Sequence, residues 1–126
     1  MELTLAYAHK ATYVHAVVSG DNSTENVKSY LRQIRQECSR LKCSRVLIEE
    51  RLVGPRLGIT DVFRIVSEQS SLAVRQFEAI AYVDVNAEGD LMKFAEDVAV
   101  NRHLRVAVFS TVPDAEKWLL QLSSSR

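Results

Sequence analysis

Cysteine is scarce in this chain, net charge is zero, and long apolar runs are missing. Each of these absences excludes something. The two cysteines, Cys38 and Cys43, stand in a C-x4-C spacing that is neither a zinc nor a thioredoxin-type pattern. They read as two reduced thiols, one on a helix and one just past its end. Sixteen basic residues balance sixteen acidic ones. Such a balance gives no general attraction to nucleic acid or to an anionic membrane. No apolar stretch approaches the length needed to cross a bilayer, so the protein is not expected to be integral to a membrane. The start, MELTLAYAHK, lacks the basic and then apolar segments of a signal peptide, and the expected location is cytoplasmic. Internal repeats, low-complexity runs and linkers are also missing. The 126 residues suit one domain, expected over residues 1–122 with a frayed tail at 123–126.

What remains is a regular alternation of strand and helix signals. Leu3, Leu5 and Tyr7 alternate with polar or small residues and predict a strand with one buried face. Tyr13–Val18 is β-branched and aromatic and predicts a second strand, joined to the first as an antiparallel hairpin. The segment Ser19–Asn22 reads as a turn, and Asn22 or Ser23 can cap the helix that follows. In that helix Val27, Tyr30, Leu31, Ile34, Cys38 and Leu41 recur at spacings of three and four. Its outer face carries Lys28, Arg32, Arg35, Gln36 and Arg40. No aromatic residues are interleaved there to stack bases, so this is a solvated face and nucleic acid is not an expected partner.

The VLI segment after Ser44 is a buried strand, and a strand–helix–strand unit implies a parallel crossover. Val53–Gly58 is a loop. Thr60 is expected to cap a second helix, with Asp61 in its first turn, and the helix is expected to run out over Glu68–Ser71. Phe77–Val83 predicts a strand, Asp84–Asp90 a loop, and Leu91–Ala99 a third helix ending at Asn101-Arg102-His103. Val106–Phe109 reads as the last central strand. Thr111, followed by Pro113 and Asp114, is a strong start signal for a final helix. The predicted class is α/β, in the order β-β-α-β-α-β-α-β-α, with a mixed four- to five-stranded sheet. Trp118, Phe94, Phe109 and Phe63 are expected in the core.

The stretch from Phe94 to Leu119 carries a resemblance. Phe94, Ala95, Glu96, Ala99, Asn101, Arg102, Leu104, Val106, Val108, Phe109, Ala115, Trp118 and Leu119 are similar to the pattern F-A-E-x-x-A-x-N-R-G-L-x-V-x-V-F followed by A-x-x-W-L. That pattern belongs to the stand-alone bacterial SpoIIAA-like, or STAS/Sec14-like, family. His103 stands where the pattern has glycine. The resemblance implies helices flanking a mixed sheet and carries no known reaction. In the anti-sigma-factor antagonists of this fold, a serine in a D-S-S-G loop before the second helix is phosphorylated. The matching stretch here, Gly58-Ile59-Thr60-Asp61, has no D-S-S-G, and Thr60 is the remaining candidate phosphosite.

Ligands of α/β sheets favour the carboxyl ends of the strands. That edge is expected to gather Glu49, Glu50, Gly54, Gly58, Thr60, Asp61, Asp84, Asn86, Glu88, Gly89, Asp90, Ser110, Thr111 and Asp114. No G-x-G-x-x-G or P-loop is present, so no nucleotide cofactor is expected. Glu49-Glu50 and Asp84 resemble the acidic set of phospho-receiver domains, but the last strand lacks their lysine, so no metal is expected. His9, His15 and His103 have no paired nucleophile by spacing, and an enzyme would need a pocket joining Glu49, Asp84 and a histidine. The expectation is a non-enzymatic regulatory or protein-interaction module. It would act through a loop and helix start made of Leu57, Gly58, Ile59, Thr60, Asp61 and Val62, with a protein partner or as a homodimer. The alternative is a carrier for an apolar small molecule or lipid held between sheet and helices.

Overall fold

Alternation of side chains builds the sheet. In the computed structural model, which describes residues 3–54, 57–84 and 89–122, β1 (Leu3–His9) turns Leu3, Leu5 and Tyr7 inward and leaves Thr4, Ala6 and Ala8 exposed. It pairs antiparallel with β2 (Val14–Asp21), Leu5 facing Val18 and Leu3 facing Gly20. Ser19–Asp21 therefore continue the strand rather than forming the expected turn, because both neighbouring strands pair with them. Ser23 is the cap of α1 (Thr24–Leu41), its hydroxyl accepting from the Asn26 amide at 3.1 Å. Lys42, in a left-handed conformation, closes that helix by donating to Ser39 O.

β3 (Arg45–Val53) lies parallel to β2 and ends at Gly54, whose φ of +116° suits glycine alone. Next come α2 (Ile59–Ala73), β4 (Ala79–Asp84), α3 (Gly89–Asn101), β5 (Val106–Phe109) and α4 (Val112–Gln121). Thr111 caps α4, accepting from the Asp114 amide at 3.4 Å. The strands lie in the order β1-β2-β3-β4-β5, antiparallel between the first two and parallel elsewhere. β5 is thus an edge strand, not a central one. Glu96 of α3 covers part of that edge by accepting the Val108 amide at 2.9 Å.

The alternation of β3 divides the core. Val46, Ile48 and Leu52 meet α1, α2 and α3, through residues such as Val27, Tyr30, Ile34, Ile65 and Ala99. Leu47 faces the opposite side, where Ala115 and Leu119 of α4 pack with Tyr13, Ala79, Ala81 and Val83. Tyr13 fastens α4 to the hairpin through a hydrogen bond from its hydroxyl to Glu116. Burial first, and then Glu116, push its phenol pKa up to about 12.

Several local expectations change. α2 runs on to Ala73, past the Ser/Gln stretch, because Ser70 is turned into the core. Gly58 takes the cap position of α2 with extended backbone, and its carbonyl accepts the Val62 amide at 3.0 Å. Thr60 is therefore already inside the first turn and is not the cap. The Phe77–Val83 segment enters the sheet at Ala79 and leaves at Asp84. Phe63 is 45% exposed rather than core. It lies under the Arg102 guanidinium, 5.5 Å from the ring centroid. Phe109 and Trp118 do pack together, 5.8 Å apart, on the α4 side. The Phe94 side chain, Pro55, Arg56, residues 85–88 (with Asn86 and Glu88), the Asp90 side chain and the tail at 123–126 lie outside the described residues. His103, where the family pattern has glycine, adopts φ 69°, a left-handed conformation that histidine tolerates better than most residues.

Candidate ligand cavity

α2 lies closest to its flanking helices α1 and α3 and reaches the strands beneath it through side chains such as Ile65. That arrangement leaves a space of about 180 Å³ between the sheet and the three helices. Its walls are apolar: Leu31 and Ile34 of α1, Val62 and Ile65 of α2, Ala99 of α3 and Val106 of β5. A well-packed core leaves few voids larger than a water molecule, so this is more than a packing defect. For scale, an apolar cavity of about 150 Å³ admits a benzene ring.

One end of the cavity is polar, and the strand register puts it there. Ile48 pairs with Tyr82 and Glu50 with Asp84 across β3 and β4, so Glu50, Tyr82 and Asp84 share the cavity face. Tyr82 donates its hydroxyl to Glu50 Oε2 at 2.7 Å, and Tyr30 of α1 donates to the same oxygen. The two phenol oxygens also touch each other. Burial, and then the negative charge of Asp84, raise the Tyr82 pKa, which keeps its proton available for Glu50. Asn22 and Glu96 line the space as well.

Glu49 is next to Glu50 in sequence but points through the other face of the sheet. There it accepts from His15 Nε2 at 2.9 Å and from Arg51. Burial alone would raise its pKa, but the hydrogen bonds from Arg51 and His15 outweigh burial and hold it below the usual carboxylate value. The sheet stands between Glu49 and Asp84, so Glu49, Asp84 and a histidine do not meet. His9 lies 3.6 Å from Glu37, and His103 is exposed beyond α3. Among the described residues, no group of three or more His, Cys, Asp or Glu is arranged to hold a metal ion. Cys38 and Cys43 are free thiols. Burial, followed by the neighbouring Cys43 and Glu37, pushes the Cys38 thiol up to about 12.

The order β1-β2-β3-β4-β5, with three helices on one face and one on the other, has a counterpart among solved structures. An uncharacterised protein of the DUF3478 family from Shewanella loihica PV-4, described as having a SpoIIAA-like fold, superimposes with a TM-score of 0.58. It is 16% identical, over 93% of each chain. The present chain has a SpoIIAA-like fold. At that identity the likeness concerns the fold and not the role. No protein-family model and no curated protein matches the sequence.

Within this SpoIIAA-like framework, the segment read from sequence as an interaction or ligand loop divides in two. Leu57 and Val62 line the cavity, whereas Gly58, Ile59 and Thr60 face solvent and Asp61 is half-buried in the first helical turn. Ile59, Phe63 and Val53 are exposed apolar residues of the helix start and the β3 end. Among the described residues, no helix is long and apolar enough to cross a membrane. Sequence reasoning missed Tyr30 and Tyr82 as polar groups, because Tyr30 was counted among the apolar positions of its helix and Tyr82 was read only as part of the Phe77–Val83 strand. Tyrosine at a buried helical position could have raised the question of where its hydroxyl is satisfied.

Proposed function

We propose that the protein is a small non-enzymatic module that binds an apolar small molecule between its sheet and helices α1–α3. The observation that carries this reading is the cavity of about 180 Å³, apolar along its walls and polar at the Glu50 end. Binding sites generally combine an apolar lining with a few placed polar groups. The volume suits a single ring or a short chain and is too small for a two-chain lipid. The test is thermal unfolding with 2-phenylethanol, a one-ring probe with a hydroxyl. At ten times its Kd the probe adds about 1.4 kcal/mol of stability, a rise of roughly 4 °C in Tm. Ala99→Leu fills the space from α3 and is expected to abolish that rise while the variant itself stays folded. No rise in the wild type, or the same rise in the variant, would remove the proposal.

A second reading is protein recognition at the outer side of the α2 start, supported by the exposure of Val53, Ile59 and Phe63. Ile59 and Phe63 lie four residues apart and so share one side of α2. On this reading, self-association or partner capture is lost on Ile59→Asp combined with Phe63→Asp, with Tm changed by less than about 2 °C. Sedimentation velocity of the two proteins decides the homodimer case: identical mass in both argues against a dimer through this surface.

A further inference from the structure

The two edges of the sheet are treated differently. β5 is four residues long, and Glu96 accepts from its Val108 amide at 2.9 Å. β1, at the other edge, is seven residues long and pairs with β2 without a break in register. Its sequence, LTLAYAH, holds no Asp, Glu, Lys, Arg or Pro, and the unbroken register leaves no bulge. Charges, prolines, bulges and covering segments are the usual means by which an edge strand is kept from pairing with another chain. Among the described residues, no group hydrogen-bonds to the outer side of β1.

The hairpin register fixes which backbone groups face outward. Lys10 donates its amide to the Tyr13 carbonyl at 2.9 Å. Opposed residues of an antiparallel pair alternate between hydrogen-bonded and non-hydrogen-bonded. Counting back from Lys10 and Tyr13, it is Ala8, Ala6 and Thr4 that bond to β2. Leu3, Leu5, Tyr7 and His9 therefore aim their amides and carbonyls away from it, one donor and one acceptor each. These four residues are self-complementary. With a two-fold axis at Ala6, Leu3 of each copy faces His9 of the other, and Leu5 faces Tyr7. All four then exchange both bonds with their opposites, about eight bonds in total. Moving the axis to Leu5 or Tyr7 leaves one of the four without an opposite.

Side chains agree with that register. Leu5 and Tyr7 are half-buried within one copy, and setting them opposite each other removes more apolar surface from water. On the other face Thr4 meets Ala8 and Ala6 meets Ala6. These are the closer, non-hydrogen-bonded pairs, with Cα atoms about 4.5 Å apart, and small residues suit them. With no acidic residue, lysine or arginine in β1, no like charges are brought together. We infer that β1 is a dimerisation edge: a second copy of this chain pairs its β1 antiparallel with the first about a two-fold axis at Ala6, joining two five-stranded sheets into one. The inference is independent of the cavity and of the α2 surface.

Sedimentation velocity from micromolar to submillimolar concentration is expected to show a species of twice the chain mass. Ala6 is exposed in one copy, and Ala6→Lys sets two ammonium groups against each other at the axis. That variant is expected to sediment as a monomer with unchanged circular dichroism. Ile59→Asp combined with Phe63→Asp is expected to leave the dimer intact, which separates it from association at the α2 start. Crosslinking reads the register. In a Cys43→Ser background, with Cys38 buried, Ala6→Cys is expected to give a disulfide-linked dimer with diamide, because about 4.5 Å between Cα atoms is within disulfide reach. Thr4→Cys is expected to stay unlinked, since its counterpart lies about 13 Å along the strand. Should Ala6→Lys not fold, the crosslinking pair gives the reading. A wild type that stays monomeric throughout, a dimer that survives Ala6→Lys, or equal crosslinking at positions 4 and 6 overturns the assignment.

Discussion

Leu119→Ala is expected to cost about 3 kcal/mol in urea-induced unfolding, within the 2–5 kcal/mol range for truncating a fully buried leucine. Leu119 is 1% exposed and sits where α4 meets the sheet. Its neighbours there include Ala79, Ala81 and Ala115, whose short side chains let the helix approach closely. Those same short side chains have no rotamers with which to fill the space that Leu119 would vacate. Among the described residues α4 is the one helix on this face, so no second helix can slide in to compensate. A domain of this size has about 5–15 kcal/mol to lose, which makes the change a large share of its stability. The adjacent Leu120 is 57% exposed, and Leu120→Ala is expected to stay within about 0.5 kcal/mol of wild type. Equal, small losses in both variants would mean that α4 is not anchored by Leu119.

The second large effect is expected at Arg45, the first residue of β3. Its Nε lies 2.8 Å from Glu78 Oε1, and its Nη1 donates to the carbonyls of Leu119 and Leu122, each at 3.0 Å. Both charged side chains of the pair are close to nine-tenths buried. One guanidinium thus joins the start of β3, the approach to β4 and the last turn of α4. A cation is also favoured at the carboxyl end of a helix. Arg45→Met keeps most of the aliphatic stem but removes the charge and its donors. It deprives Glu78 of this partner in a low-dielectric setting and leaves two helix-end carbonyls without theirs. The expected loss is about 3 kcal/mol, since breaking a buried ion pair costs about 3–5 kcal/mol. Arg45→Lys restores the charge without the planar fork and is expected to recover part of that loss. Hydrogen exchange locates the effect: amides of α4 should lose protection ahead of those in α1. A loss under about 1 kcal/mol for Arg45→Met would show that the three segments hold together without it.

Elements marked by local chemistry were legible in the sequence. Ser23 and Thr111 start their helices because a hydroxyl satisfies an amide three residues on. The apolar spacing of α1 and the alternation in β1 and β3 follow from periods of 3.6 and 2. The errors came where pairing or packing overrode local signals. Ser19–Asp21 look like a turn but are held as strand from both sides. Thr60 looks like a cap, but Gly58 takes that position with backbone alone. Phe63 looks like core, but α2 turns it outward beneath Arg102.

Sequence by itself determined the α/β class, the element order and most of the inward-facing positions, because each depends on residues within a few places of one another. Tertiary structure alone decided that β5 lies at the edge, which partners Glu49 and Glu50 meet on their opposite faces, and that α2 lies over the sheet between α1 and α3. The cavity and its Tyr30–Glu50–Tyr82 end follow from those three decisions. Tyr30 and Tyr82 are 52 residues apart, and no local period carries information over that distance. Only the pairing of strands and the docking of α1 bring their hydroxyls to one carboxylate.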